Sequence, residues 1–419
     1  MRRLECDIAV VGGGVAGIAA AVSAQRAGAR AVLIERSPSL GGTGVRCGVP
    51  SFCGFYTSED QENQVVQGIG EEVLQRLKDK GEDIAPVRTM FGGRTIFYDP
   101  EVLKLVLEEL LLENRVQYLL DAYVIGVDCT EGLLRKLEVA DDEGRFWIQA
   151  SSFVDASGDA NLAHMAGCPT RFGDEEGRAQ MATLEMQLAH VPRSLHFTPD
   201  QVGEALQKAY HAGYRPMTKM RAPVWPARKG DVVNISLPNY ELQGLDSASM
   251  TRALHATRVM AHVYAQALRE FLPGMERSYL LATGPHLGIR ESRRIVCEKN
   301  LTVDHVLRGD KAPEERVVRC GWSLENHRLL QDMSDNQDIC DRSWYGLPLG
   351  CLKAVSPGNL WCAGRDIGVD HETLSSVRVM GTCFATGQAA GVAAALTPPG
   401  GAYDLAQVRA ELLRQGALI

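Results

Sequence analysis

The sequence has little of what marks membrane, nucleic-acid-binding or metal proteins. Aromatic residues make up only 6% of its 419 residues, and no apolar run approaches the roughly 18 residues that suggest a membrane span. A net charge of −8 without a long basic block argues against nucleic-acid or anionic-membrane partners. His and Cys residues do not occur at zinc-ligand spacing, so we expect no metal site.

Cysteine pairing is not indicated either. The eleven cysteines are scattered and odd in number, without a Cys-x-x-Cys pair, so we expect reduced thiols of a cytosolic enzyme. Glu5 and Asp7 interrupt any apolar segment behind Arg2 and Arg3, and the first predicted strand starts at about Asp7. We therefore expect no cleavable leader and a cytoplasmic location.

The chain is long enough for two interlocked domains. Residues 1–168 and 340–419 alternate strand and helix patterns, which predicts an α/β domain with a parallel Rossmann-like sheet. The character changes between them, where helices alternate with short strands and proline-rich connections. We interpret residues 169–339 as an inserted α+β substrate or cap domain.

Several elements are predicted individually. A helix at 100–113 starts behind Asp99 as N-cap, with Pro100 in the first turn. Strands at about 116–128, 134–140 and 145–150 are predicted to form a small β-meander beside the main sheet. Helices are predicted at 200–212, 247–270 and 381–396.

A glycine-rich turn between a strand and a helix carries the strongest functional signal. The run Gly12-Gly13-Gly14-Val15-Ala16-Gly17 has the G-x-G-x-x-G spacing of a dinucleotide site. Gly12 allows the tight turn, Gly14 lets the backbone approach a pyrophosphate, and Gly17 lets helix and strand pack closely. The helix N-terminus offers unpaired N–H groups, and Glu35, ending the next strand, can hold ribose hydroxyls. A chance glycine turn is the alternative.

Three further segments favour FAD over NAD. Gly41-Gly42-Thr43 follows Glu35-Arg36 at a spacing that resembles FAD enzymes, in which the glycine pair passes under pyrophosphate and flavin. Gly364-Arg365-Asp366 resembles the segment whose acid contacts ribityl or pyrophosphate oxygens. The next helix contains Gly381 and Gly387-Gln388 and would direct its N-terminus at the flavin. Each segment alone could be ordinary packing of small residues, but their order along one chain favours FAD.

With these motifs the sequence resembles the FAD-dependent oxidoreductases of glutathione-reductase-type FAD topology, specifically the branch called FAD-dependent oxidoreductase. The resemblance continues in pieces at residues 98–104, 153–159, 287–294 and 375–391. It implies a Rossmann-like FAD-binding domain, with FAD as cofactor. It also implies backbone contacts from Val124 to the adenine, and Ser157-Gly158-Asp159 beside the adenosine or pyrophosphate. It says little about the substrate, because the branch is functionally diverse.

Five residues are candidates for chemistry at the flavin, where a base must take the proton that accompanies hydride transfer. His371 is the first choice for proton transfer or substrate hydrogen bonding. Arg378 is a candidate for binding a substrate carboxylate or supporting the reduced flavin. His286, Arg290 and Tyr345 are second-rank candidates for the same pocket. The alternatives are a structural loop histidine, an arginine salt bridge and ordinary packing of the tyrosine.

Cys47 and Cys53 follow the glycine pair but miss the register of the flavin disulfide reductases. Gly44 stands where those enzymes have their first redox Cys, and the spacing is Cys-x5-Cys rather than Cys-x4-Cys. A redox disulfide is therefore not favoured. Cys47 is left open as a flavin-proximal thiol, with the roles of charge-transfer partner, covalent tether or redox thiol, against a buried structural thiol.

The sequence thus predicts an FAD-dependent dehydrogenase or oxidase that transfers a hydride between a small-molecule substrate and flavin N5. A second G-x-G-x-x-G is absent, which argues against a built-in NAD(P)H domain and leaves the electron acceptor or donor unknown. Alternatives are a flavin monooxygenase or halogenase, and a flavoprotein subunit that passes electrons to a partner. A homo-oligomer is left open.

Overall fold

The fold is given by a computed structural model that describes residues 2–90, 92–227, 229–327 and 334–419. Its α-helices within these ranges are α1 (Val15–Arg26), α2 (Thr43–Arg46), α3 (Ile69–Asp79), α4 (Pro100–Glu113), α5 (Asn161–Met165), α6 (Pro199–His211), α7 (Ser247–Phe271), α8 (Val303–Arg308), α9 (His371–Val377), α10 (Met380–Leu396) and α11 (Leu405–Arg414). Its strands are β1 (Arg3–Glu5), β2 (Ile8–Val11), β3 (Ala31–Ile34), β4 (Ser51–Cys53), β5 (Val87–Arg88), β6 (Arg94–Phe97), β7 (Gln117–Leu119), β8 (Tyr123–Thr130), β9 (Leu133–Asp141), β10 (Gly144–Gln149), β11 (Ser152–Asp155), β12 (Thr170–Phe172), β13 (Ala182–Thr183), β14 (Met186–Ala189), β15 (Val224–Pro226), β16 (Val232–Ile235), β17 (Asn239–Tyr240), β18 (Tyr279–Thr283), β19 (Arg293–Ile295), β20 (Arg316–Cys320), β21 (Leu324–Asn326), β22 (Asp335–Gln337), β23 (Tyr345–Pro348) and β24 (Leu360–Cys362).

A five-stranded parallel sheet with the order β24-β11-β2-β3-β7 forms the centre of the fold. Every residue of β2, β3, β11 and β24 is buried, as expected for parallel strands covered on both faces. Helix α1 connects β2 to β3 and packs closely on α10. A side chain built on Gly387 of α10 would lie 2.1 Å from the Ala16 carbonyl oxygen. The predicted α/β fold with a parallel sheet is confirmed.

The β-meander consists of β8, β9 and β10 in antiparallel order, with β1 added in parallel to β10. The sequence predicted one strand at 116–128, whereas the structure has two. Strand β7 completes the parallel sheet, and β8 starts the meander. Asp121, between them, has a φ of 51°, a left-handed turn that redirects the chain.

A second hydrophobic core lies between Ala182 and Leu287. Helix α7 packs on β18 of the four-stranded sheet β15-β16-β14-β18, and α6 packs on α7; together they form this core. Buried residues from Ile295 to Ile339 belong instead to the first core. The second core therefore ends well before residue 339, the boundary predicted from the sequence.

No single helix in the described ranges has the length and hydropathy of a membrane span. Helices α9 and α10 pass that test only as a pair, and they are bent by 96° with respect to one another.

Candidate active site

A cavity of about 470 Å³ extends from the glycine-rich turn behind β2 to the second core. That volume lies within the usual range for small-molecule sites. It is lined by these residues singled out from the sequence: Gly12, Gly14, Val15, Ala16, Glu35, Arg36, Gly41, Gly42, Thr43, Cys47, Ser157, Gly158, Asp159, His286, Arg290, Gly364, Arg365 and Arg378.

The glycine turn forms a cradle at the N-terminus of α1. Gly14 is the N-cap residue and supplies no side-chain cap, so the first-turn N–H groups have no intrahelical acceptor. A side chain built on Gly14 would meet only Gly42 Cα, at 3.8 Å, whereas one on Gly17 would lie 1.8 Å from the Gly12 carbonyl oxygen. Gly17 thus serves packing, and Gly14 keeps the open N-terminus accessible. This arrangement fits a pyrophosphate.

Glu35 stands at the end of β3 and is 4% exposed. One carboxylate oxygen accepts from the Gly13 N–H at 2.6 Å and the other from the Ser37 N–H at 2.8 Å. Arg46 Nη1 lies 3.4 Å from Glu35, and Arg46 Nη2 lies 3.2 Å from the His286 ring. Burial, followed by the Arg46 charge, lowers the pKa of His286. The carboxylate is held where the ribose of a dinucleotide is expected.

The ends of β11 and β24 meet beside this cradle. Arg365 Nη2 donates to Asp159 at 2.8 Å, and Arg365 Nη1 donates to Ser292 Oγ at 2.8 Å. Burial alone would raise the pKa of Asp159, but the Arg365 charge, the hydrogen bonds from Arg365 and Ser292 and the Arg36 charge together lower it. Asp159 is therefore a fixed negative charge, and Arg365 is held against it at the cavity wall.

Asp366 does not line the cavity. Its Oδ2 accepts from the Gly158 and Ala160 N–H groups at 3.1 and 3.2 Å, and its Oδ1 has no partner within the described ranges. Burial, followed by the charge of Asp155, raises the pKa of Asp366 well above its ordinary value. The residue thus fixes the loop behind β11.

The predicted residues of α10 and of the meander pack elsewhere. Gly387 contacts α1, and Gly381 contacts the backbone behind β4. The Gln388 amide oxygen accepts from the Ile69 N–H at 3.1 Å. Val124 pairs with Val139 inside the meander. Small residues on α10 are explained here by close helix packing.

His371 and Tyr345 also lie outside the cavity lining. His371 Nδ1 lies 2.8 Å from Glu291 Oε2, and this carboxylate is fully buried. The Tyr345 hydroxyl lies 2.6 Å from Ser376 Oγ, and the ring is buried. His371 opens α9, a helix that the sequence analysis did not predict, and its ring is taken up by Glu291. This placement gives no support to His371 as the proton-transfer group.

A partly buried polar cluster at the far end of the cavity contains Arg290, Glu325, His327 and Arg378. Burial would raise the pKa of Glu325, but the hydrogen bond from His327 and nearby charges lower it to about 2. Burial, followed by the Arg290 charge, lowers the pKa of His327 to about 3. Burial lowers the pKa of Arg290 to about 10. Burial and the Arg290 charge thus oppose protonation of the His327 ring.

Arg378 belongs to this cluster through a single hydrogen bond. Its Nη2 donates to the Glu325 carbonyl oxygen at 3.0 Å, and its Nε has no partner within the part of the chain that is described. A salt bridge with Glu372 or Asp370, the alternative raised from the sequence, is not the contact observed. The guanidinium retains donors for an anionic group.

Glu185, Lys219 and Ser236 were not predicted from the sequence and line the same cavity. Glu185 lies in an apolar stretch in which Leu184, Met186 and Leu188 are buried. A carboxylate in such a stretch looks solvent-facing in the sequence, because alternate residues of a half-buried strand are polar. Residues of other segments, among them Cys47 and Arg290, line the same cavity and make this face one of its walls.

The two cysteines behind the glycine pair are neutral thiols. Cys47 Sγ donates to the Leu287 carbonyl oxygen at 3.4 Å, and burial raises its pKa to about 11. Cys53 Sγ donates to Thr95 Oγ1 at 3.5 Å, and burial raises its pKa to about 12. Both surroundings favour a buried structural thiol over a thiolate.

Among the residues that the structure describes, no group of three or more His, Cys, Asp or Glu side chains could hold a metal ion.

Residues 7–415 match the family model described as FAD dependent oxidoreductase. No curated protein matches the chain. Among solved structures, the chain is similar to a protein called AlpK, at 13% identity and a TM-score of 0.50 over 93% of this chain and 62% of that one. It is also similar to a geranylgeranyl bacteriochlorophyll reductase-like protein from Thermoplasma acidophilum (12% identity, TM-score 0.48, 94% of this chain and 79% of that one). A third similar structure is the OxyS anhydrotetracycline hydroxylase from Streptomyces rimosus (11% identity, TM-score 0.48, 98% of this chain and 66% of that one). At such identities the likeness concerns the fold alone.

Proposed function

Since the chain belongs to the FAD dependent oxidoreductase family, and is therefore an FAD-binding enzyme, we propose that it is a dehydrogenase or oxidase of a small organic substrate. One observation carries the proposal. One cavity has a dinucleotide cradle at one end and the partly buried Arg290 and Arg378 at the other. When bound there, FAD supplies a two-electron hydride acceptor at N5.

The residues that would hold FAD are those of the cradle. The open N-terminus of α1 would take the pyrophosphate, and the Glu35 carboxylate would take ribose hydroxyls. Arg365, fixed by Asp159, adds positive charge at the same wall. The glutathione-reductase-type topology remains part of this proposal.

The substrate would bind at the other end, under the second core. We propose that residues 182–289 form the substrate domain, inserted into the FAD-binding fold. Arg378 and Arg290 would bind a carboxylate, because both line the cavity and are partly buried. Trp225 and Trp322 line the cavity as well and would enclose the apolar part of the substrate. A buried arginine excludes uncharged isosteres strongly, because its donors would be left unpaired.

The proposal is tested by anaerobic mixing of the yellow holoenzyme with a panel of small organic acids. Bleaching of the flavin absorbance without NADPH supports it. Reduction that requires NADPH, followed by incorporation of oxygen into the product, would replace it with a flavin monooxygenase. An inert protein that co-purifies with a second chain would replace it with an electron-passing subunit. A cytoplasmic location is also proposed, and a homo-oligomer is left open.

A further inference from the structure

Glu185 is a buried carboxylate that is not among the residues assigned to FAD binding. It lies between β13 and β14, and its neighbours Leu184 and Met186 belong to the second core. Successive side chains of an extended chain point to opposite sides, so Glu185 points away from that core. It lines the cavity and is only 8% exposed. A carboxylate in such a place needs partners.

Its partners form a chain of polar contacts. The Ser236 hydroxyl donates a short hydrogen bond to Glu185 Oε2. The Lys219 ammonium donates to the carbonyl oxygen of the same serine at 3.1 Å. Lys219 is itself 8% exposed and lines the cavity. The carboxylate is thus oriented by a hydroxyl and sits in the field of a buried cation.

The charged and titratable groups around Glu185 are Lys219, Arg290 and Cys47. Burial raises the pKa of Glu185 to about 7, even though the Ser236 hydrogen bond and the two cations act to lower it. The Cys47 thiol has its pKa raised to about 11 and stays neutral. Near neutral pH the carboxyl group therefore exists in both protonation states.

Glu185 also adjoins the segment that follows the Gly41-Gly42 pair. The Gly284 N–H donates to the Glu185 carbonyl oxygen at 3.0 Å. A side chain built on Gly48 would lie 3.9 Å from Glu185 Cβ, in van der Waals contact. The carboxylate is therefore located where the cofactor-binding fold and the second core share the cavity.

We propose that Glu185 is the acid/base residue of the oxidation. Ser236 orients its carboxylate, and Lys219 holds Ser236 in place by donating to the carbonyl oxygen of that serine. The inference rests on the proposed hydride-transfer function. A substrate O–H or N–H gives its proton to the Glu185 carboxylate, and the adjacent carbon loses a hydride to FAD. The substrate loses two electrons and gains a C=O or C=N bond, and FAD, the oxidant that the family binds, gains them. The substrate class is a small acid that carries an alcohol or an amine, because the arginines and Glu185 line one cavity.

The chemistry favours this role over a structural one. A structural carboxylate is stabilised by direct ion pairing, which lowers its pKa. A general base is most effective when its pKa lies near the working pH. Glu185 is buried like a structural group but titrates like an acid/base group.

The test compares wild type with Glu185→Gln, which keeps the shape and the hydrogen bond to Ser236. The reductants are glycolate, L-lactate, glycine and L-proline, mixed anaerobically with each holoenzyme. Positioned acid/base groups contribute at least about 100-fold, so the variant should bind FAD normally and be reduced at least about 100-fold more slowly. Glu185→Asp should recover part of the rate. Glu204→Gln, the same change on the exposed face of α6, is the matched control and should behave as wild type.

A second readout needs no turnover. Infrared difference spectra of the holoenzyme between low and high pH should contain a buried carboxyl band that titrates at about pH 7 and is missing from Glu185→Gln. Ser236→Ala removes a hydrogen bond to the ionised form. The band and the pH dependence of reduction should therefore both move to higher pH.

The outcomes separate the two proposals. If Glu185→Gln is reduced at the wild-type rate, the role of Glu185 is refuted and the proposed function stands. If wild-type holoenzyme is reduced by none of the four acids, the inferred substrate class and mechanism are refuted. Protein that takes up no FAD refutes the proposed function itself.

Discussion

Arg365 Nη2 donates to Asp159 Oδ1 at 2.8 Å, across 206 residues of sequence. The contact joins the loop behind β11 to the loop behind β24, and both loops line the cavity. The cofactor site is therefore complete only when the C-terminal segment has folded back onto the N-terminal one.

Removing the guanidinium should uncouple these segments. Arg365→Met leaves the buried Asp159 without its main partner, which costs about 3 kcal/mol of unfolding free energy. We expect lower FAD content and a lower denaturation midpoint. The double variant Asp159→Asn, Arg365→Met should recover much of the stability in a double-mutant cycle. Unchanged FAD content and stability in the single variant would show that the pair does not hold the site.

Alanine substitutions at Gly14 and Gly17 should distinguish a glycine that contacts the ligand from one that is needed for packing. Gly14 has a φ of −71° and open space around it, so Gly14→Ala should fold within about 0.5 kcal/mol of wild type. It should lose FAD affinity by at least about tenfold, or 1.4 kcal/mol, because its methyl group enters the cradle. Gly17→Ala should instead fail to fold, because its methyl group would meet the Gly12 carbonyl oxygen. Equilibrium titration with FAD measures the affinity, and circular dichroism measures folding. Equal behaviour of the two variants would contradict the separate roles of Gly14 and Gly17.

The contrast between these glycines also marks what the sequence could predict. Local rules placed the strand, turn and helix at Gly12 and the cap of α4, where Asp99 accepts from the Glu101 N–H at 2.9 Å. They did not place His371, because its role depends on Glu291, which is 80 residues away. They missed Glu185 for the same reason, since its burial comes from a neighbouring segment. Periodicity describes one face of one element, and a site is made where several elements meet.

Arg378 and His371 should behave differently when replaced. Arg378→Met removes donors from the cavity, so the KM for an acidic substrate should rise by at least about tenfold. Arg378→Lys should recover only part of this affinity, because an ammonium group lacks the planar fork. His371 lies outside the cavity lining. His371→Gln should therefore leave the rate of flavin reduction within about threefold of wild type. Equal rate losses in both variants would restore His371 as the leading proton-transfer candidate.

The raised pKa of Glu185 should appear in the pH dependence of stability. Between its ordinary value of 4.5 and about 7 the folded protein binds more protons than the unfolded chain. The stabilisation by protonated Glu185 is therefore complete below about pH 4.5 and is lost as the pH rises through about 7. Relative to Glu185→Gln, wild type should lose up to about 3 kcal/mol over this window. Urea unfolding at saturating FAD measures the difference, and parallel curves would contradict it.

Cys47 should be dispensable for the chemistry. Its pKa is raised to about 11 by burial, so a thiolate next to the flavin is not expected at neutral pH. Cys47→Ser should keep the visible spectrum, release its FAD on denaturation and be reduced at the wild-type rate. A long-wavelength charge-transfer band in wild type that is lost in the variant would show a thiolate instead.

A substrate carbon is expected to give a hydride to FAD in this cavity, without a nicotinamide. This transfer is tested most directly by anaerobic stopped-flow reduction of the holoenzyme with glycolate and with glycolate deuterated at C2. We predict that the flavin absorbance bleaches in a single turnover and that deuteration slows it severalfold. Bleaching that occurs only after addition of NADPH would contradict the account.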